Sequence, residues 1–109
     1  MVSKKADPSQ GEVWLFDKDK PCLILSCDDL NRGPSQLVII VPFTSVKKGI
    51  ASNVKVSPPQ GGLKTVSFAM AEQIRTICKE RLVKKMGVIT DKSILKEVHS
   101  WVLDLIWLS

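Results

Sequence analysis

The run Asp17-Lys18-Asp19-Lys20-Pro21-Cys22-Leu23-Ile24-Leu25-Ser26 passes from a charged turn directly into an apolar strand. Its last cation, Lys20, stands where the turn meets the strand. It is either a solvated turn residue, screened by Asp17 and Asp19, or a fixed positive charge of the kind an enzyme aims at an anion. The net charge of +5, from 16 Lys and Arg against 11 Asp and Glu, permits an anionic partner without requiring one. Other chemistries lack their residues. There is no Walker loop, no Gly-x-Ser-x-Gly elbow and no zinc-ligand spacing. Cys22 and Cys27 lie five apart on an expected strand, so they point to opposite faces and neither share a metal nor bond each other. Cys78 adds no ligand spacing. All three read as small hydrophobes in a reducing compartment. The single histidine, His99, falls mid-helix at the edge of an apolar stripe. Without a second histidine, a two-histidine ribonuclease mechanism is not available.

The elements that must position these groups are short. At 109 residues, one domain is the expectation. Such a chain buries roughly two thirds of its unfolded surface. Apolar content of 44% and charged content of 25% are ordinary for a soluble globular protein. No apolar run reaches the roughly 18 residues of a membrane span. The polar start MVSKKADPSQ lacks the apolar core of a signal peptide. Residues 1–10 therefore read as a loose arm and 11–109 as the folded unit of a cytoplasmic protein. Strands are expected at Glu12–Phe16, Cys22–Ser26, Leu37–Pro42 (ended by its proline), Asn53–Val56, Thr65–Ala71 and Gln73–Cys78. Asp28–Gln36 and Pro58–Gly62 carry loop chemistry, and Arg81–Met86 stays between strand and helical turn. From Asp91 the period changes. Ile94, Leu95, Val98, Trp101, Val102, Leu105 and Ile106 make one helical stripe, which Thr90 or Asp91 can cap. The expected architecture is mainly β: a small barrel of short strands with a C-terminal helix packed on it. Trp14 and Trp101 read as core or dimer anchors.

Five blocks, GEVWLFD, KPCLILSCDDLNR, LVIIVPFTS, AEQIRTI and RLVKKMGVI, occur in that order. Together they resemble the MazF/PemK family of toxins from bacterial type II toxin–antitoxin pairs, from about Gly11 to the C-terminus. The resemblance implies a homodimeric SH3-like barrel and a metal-independent endoribonuclease without a cofactor. It implies single-stranded mRNA as substrate, cut at short motifs to 2′,3′-cyclic phosphate and 5′-hydroxyl ends, with growth inhibition as the outcome. It also implies a cognate antitoxin whose tail lies over the RNA-binding groove.

The family's strand-opening Arg-Pro, whose arginine is its principal catalytic group, is Lys20-Pro21 here. Its Pro-x-Thr-Ser strand end, with the other catalytic residue, is Pro42-Phe43-Thr44-Ser45. Its Asp-Gln-x-Arg block, whose acidic residue has a base role in some members, is Glu72-Gln73-Ile74-Arg75. The resemblance thus assigns catalysis to Lys20, Thr44 and Glu72, and RNA contacts to Lys18, Ser45, Lys47, Gln73 and Arg75; no metal ligand is expected. There are two departures. The arginine has become lysine, and the usually long, Gly-rich first loop is cut to Asp17-Lys18-Asp19-Lys20. Arginine grips phosphate with a planar fork, whereas lysine is a point charge that can lose its proton when desolvated. Phosphate binding is therefore expected to survive, with cleavage slower and retuned. Each residue also has a plainer reading: Lys20 solvated, Thr44 bonded to its own backbone, Glu72 a surface charge, Arg75 and Arg81 in ion pairs or dimer contacts. Two other functions fit the same barrel. One is a non-catalytic module that binds antitoxin or nucleic acid. The other is a gyrase-inhibiting toxin, for which Trp107 near the C-terminus would serve.

Overall fold

The computed structural model describes residues 6–108. Its elements are β1 (Glu12–Phe16), β2 (Lys20–Ile24), α1 (Asp28–Asn31), β3 (Leu37–Thr44), β4 (Asn53–Val56), β5 (Ser67–Met70), β6 (Arg75–Cys78), β7 (Leu82–Val88) and α2 (Lys92–Ile106). Single 3-10 turns sit at Gln60–Gly62, Ala71–Gln73 and Lys79–Arg81. The strands pair antiparallel in the order β4-β5-β3-β2-β1-β7, with β6 also on β3.

Alternation along β1, β2 and β3 feeds two cores, one on each face of these strands. Trp14, Phe16, Cys22, Ile24, Val38 and Ile40 join Ile77 of β6 and Leu82 of β7 in the first. Val13, Leu23, Val41 and Phe43 join β4, β5 and Val98 of α2 in the second. Burial on both faces is why the sequence of β2 and β3 shows continuous apolar runs rather than clean alternation.

Several boundaries differ from expectation. Pro42 does not end β3, which runs on to Thr44. On one side β3 pairs β6 through Ile40 and β5 from Phe43, so Pro42 stands where the ladder is already changing partner. The loop expected from Asp28 opens with α1, and Asp28 accepts from Gln10 N at 2.8 Å and from Asn31 Nδ2 at 3.3 Å. Ala71 and Gln73, expected as strand ends, lie with Glu72 in a 3-10 turn between β5 and β6. Arg81 closes another such turn, and Leu82–Val88 is a strand. Of the arm expected over residues 1–10, residues 1–5 lie outside the described residues. Residues 6–10 are held down: Pro8 is fully buried, Ser9 N donates to Glu12 Oε1 at 2.8 Å, and Gln10 Nε2 donates to Leu25 O at 2.8 Å.

Two contacts fix the far wall of the molecule. Gly62 has φ +69°, and a Cβ there would meet Met86 O of β7 at 2.2 Å, so only glycine lets this turn seat on the strand. From the same turn Gln60 Oε1 accepts from Thr90 N at 2.8 Å and Asp91 N at 3.1 Å, which ties it to the start of α2. Asp91 caps that helix by accepting from Ser93 N at 3.0 Å. Ile94, Leu95, Val98, Trp101 and Val102 pack as the stripe requires, but Leu105 and Ile106 are exposed because the last turn projects past the second core.

Candidate functional site

The site grows out of the β1–β2 turn. Asp17 and Lys18 take positive φ of 47° and 82°, conformations that a short aspartate turn tolerates. Asp17 N donates to Arg81 O at 3.1 Å, and Arg81 Nε donates to Asp17 Oδ1 at 2.9 Å while its Nη2 bonds Oδ2. The turn is thereby clamped to the start of β7. The hydrogen-bonded guanidinium of Arg81 holds the Asp17 carboxyl below its ordinary range, and Asp17 raises Arg81 in return. Lys20 opens β2 opposite Phe16 and is exposed. Phe16 lies under both arginines: Arg81 Cζ is 5.7 Å from its ring centroid and Arg75 Cζ 6.0 Å. Lys20, Arg75 and Arg81 line one hollow with Asp17, Asp19, Pro21 and Phe43. Arg81 is spent on Asp17. Among the described residues Arg75 has no carboxylate partner, so its planar fork is free.

Thr44 and Ser45 line a second hollow with Leu15, Lys64 and Thr65. The two hollows share Asp19, Pro21 and Phe43 as a common wall. Continuing the β2–β3 register beyond the Cys22 and Pro42 pair brings Lys20 level with Thr44. Thr44 Oγ1 accepts from Val46 N at 3.2 Å, which fixes the oxygen and leaves its proton to donate elsewhere.

The remaining expected residues line neither hollow. Lys18 projects from the turn, Lys47 follows β3, and both are exposed, as is Gln73. Glu72 is half-buried and fully engaged: Ser52 Oγ donates to it at 2.6 Å and Asn53 Nδ2 at 2.8 and 3.0 Å. Burial pushes its carboxyl up, but the bonds from Ser52 and Asn53 outweigh that and hold it below its ordinary value. Burial pushes the Cys22 thiol up to about 12, which keeps it inert beside the site. His99 is exposed, with Nδ1 2.9 Å from Leu95 O of its own helix. Sequence reasoning did not place Asp19 on the shared wall or Arg81 beside Lys20. The adjacency of Asp19 to Lys20 was the one signal for the first. The partner of Arg81 lies 64 residues away in the chain, and no local pattern announces it.

Comparison with known proteins closes the assignment. The model of PemK-like, MazF-like toxins of type II toxin–antitoxin systems matches residues 8–106. Endoribonuclease MazF9 of Mycobacterium tuberculosis is 31% identical over 96 residues, covering 74% of this chain and 81% of that protein. The solved MazE–MazF (Form-II) structure from Deinococcus radiodurans matches with a TM-score of 0.77 at 26% identity, over 95% of this chain and 99% of that one. An endoribonuclease in complex with its cognate antitoxin, from Mycobacterial species, shares the fold with a TM-score of 0.75 at 24% identity, over 94% and 96% of the two chains. With a seven-stranded antiparallel sheet, a C-terminal helix and this match over nearly its whole length, the chain belongs to the PemK-like, MazF-like toxins of type II toxin–antitoxin systems.

Proposed function

We propose that this endoribonuclease toxin cuts single-stranded RNA across the two hollows, without a metal, leaving 2′,3′-cyclic phosphate and 5′-hydroxyl ends. One observation carries the reading. Lys20 and Arg75 line one hollow, Thr44 and Ser45 line the next, and a single wall separates them. In this cleavage the 2′-oxygen attacks the adjacent phosphorus and the bond to the 5′-oxygen breaks. One proton leaves the 2′-hydroxyl and one is gained by the 5′-oxygen, so no water is consumed. Negative charge rises on the phosphoryl oxygens in the transition state, where fixed donors and cations act most strongly.

Lys20 supplies a compact charge, and Arg75 supplies the planar fork that lysine lacks. Thr44, its oxygen held by Val46 N, donates its proton to a phosphoryl oxygen. Ser45 extends the same row of hydroxyls. Lys18, Lys47 and Gln73 each stand within two residues of a lining residue and extend the surface along which the RNA backbone runs. Glu72 holds the start of β4 against the turn after β5, and takes no part in proton transfer.

The proposed partners are a cognate antitoxin and a second copy of the chain, in the cytoplasm. The exposed apolar residues at the end of α2 support the two-fold contact.

The test is incubation of purified protein with a long single-stranded RNA in EDTA, with the new ends mapped. Lys20→Ala, Thr44→Ala and Arg75→Ala run alongside, with folding followed by circular dichroism. Wild type is expected to cut, and each variant to lose about a hundredfold or more in rate. A folded wild type that cuts nothing over a broad range of sequences moves the function to a non-catalytic binding module.

A further inference from the structure

We propose that Asp19 reads a guanine beside the cleaved bond, an inference that rests on the ribonuclease reading above. Asp19 is exposed on the wall common to both hollows, between the cations of one and the hydroxyls of the other. Its neighbour Asp17 is consumed by Arg81. Asp19 is not: among the described residues it has no ion-pair partner and its carboxylate accepts no hydrogen bond. Its position is nonetheless fixed. Asp19 N donates to Asp17 O at 3.2 Å, and the turn is clamped to β7 through Asp17 and Arg81.

A carboxylate repels phosphate, so the RNA backbone crosses the shared wall over Pro21 and Phe43 and not over Asp19. What meets Asp19 is a base edge. Unpaired RNA exposes its Watson–Crick edges, which proteins read by hydrogen bonding. A carboxylate offers acceptors only, on two oxygens set side by side. Guanine alone presents two adjacent donors on that edge, N1–H and the N2 amino group. Adenine sets the acceptor N1 beside its N6 amino group, and cytosine sets N3 beside N4. Uracil flanks N3–H with two carbonyl oxygens. Asp19 therefore makes two charge-assisted bonds with guanine, and one bond plus a lone-pair repulsion with any other base. A bidentate contact of this kind discriminates roughly ten- to hundredfold between bases.

The experiment is digestion of a randomised single-stranded RNA pool by the full chain in EDTA, with sequencing of the new ends. The readout is the ratio between sites rather than the total. Guanine is expected to be enriched about tenfold or more at one position flanking the cut. Inosine at that position lacks the N2 amino group and is expected to lower cutting there by roughly tenfold with the protein unchanged. Asp19→Asn, nearly isosteric, and Asp19→Ala are expected to bring the enrichment to within about twofold of the other bases. Cutting without guanine enrichment overturns the assignment and leaves the ribonuclease reading standing. So does enrichment that survives both variants or ignores inosine. A folded wild type that cuts no member of the pool overturns both.

Discussion

Lys20 is the residue on which the proposed chemistry turns, a lysine at the position where the family resemblance leads one to expect arginine. A compact ammonium and a planar guanidinium hold phosphate differently. Arg75, free of any carboxylate among the described residues, lines the same hollow and is the proposed source of the fork. Lys20→Arg is therefore expected to keep cleavage and to speed the single-turnover rate by up to about tenfold, since a bidentate charged grip is the stronger one. A Lys20→Arg enzyme slower than wild type would show a site rebuilt around the point charge. Glu72 sorts the other way. Removing it in Glu72→Ala leaves the Ser52 and Asn53 donors without their acceptor, a loss of about 1–3 kcal/mol in unfolding free energy. Denaturant unfolding measures it, and loss of cleavage at unchanged stability would return Glu72 to the catalytic set. The family resemblance pointed to Lys20, Thr44, Ser45 and Arg75 through local blocks, and the structure sets Lys20 and Arg75 on one hollow and Thr44 and Ser45 on its neighbour. Asp17 with Arg81 was not legible, because their contact joins distant strands.

At the scale of elements, the short β1–β2 turn is a clamp rather than a flap. Asp17 holds Arg81 through its carboxylate and through its backbone N–H. Its carboxyl sits below its ordinary value in the folded state. The contribution is therefore present above the ordinary aspartate range and is lost as pH falls through the lowered value. Opening of the turn, read as amide hydrogen exchange of Asp17 and Asp19 relative to the intrinsic rate at each pH, is expected to be slow at neutral pH and to quicken in that acid window. In Asp17→Asn it should be fast at both; a turn equally protected in that variant would mean the backbone bond alone is the clamp. The strands themselves were mostly legible from their apolar runs. The end of β3 was not, since Pro42 falls where β3 changes partner and tertiary pairing overrides the usual stop. The turn at Gln60–Gly62 read as a plain loop, yet it seats on β7 so closely that Gly62→Ala has no room beside Met86 O. That variant is expected to lose roughly 1–3 kcal/mol of stability from backbone strain alone, read as a lower thermal midpoint.

At the scale of the whole molecule, the two cores leave an apolar surface uncovered at the end of α2. Leu103, Leu105, Ile106, Trp107 and Leu108 are 57%, 50%, 68%, 76% and 93% exposed. The sequence marked the stripe correctly as far as Val102. It did not show where the supporting sheet ends, because periodicity records a helix's apolar face and not the length of the body beneath it. Five large apolar side chains clustered at one end cost hydrophobic free energy in water and gain it against a partner. A second copy would offer the same surface through a two-fold axis, and in the proposed dimer each chain covers the other's exposed turn. The protein is then expected to sediment at about twice its 12.1 kDa chain mass at micromolar concentration. Ile106→Asp places a charge at the centre of that contact and should weaken association by about a hundredfold, the cost of an unpaired buried charge, while the fold's circular dichroism is kept. A wild type that stays monomeric up to the highest soluble concentration would remove the second copy as the occupant. The end of α2 would then be left to the antitoxin, whose titration against Ile106→Asp by calorimetry separates the two: a two-fold contact predicts that antitoxin affinity per chain survives the charge, and an antitoxin contact predicts that it falls.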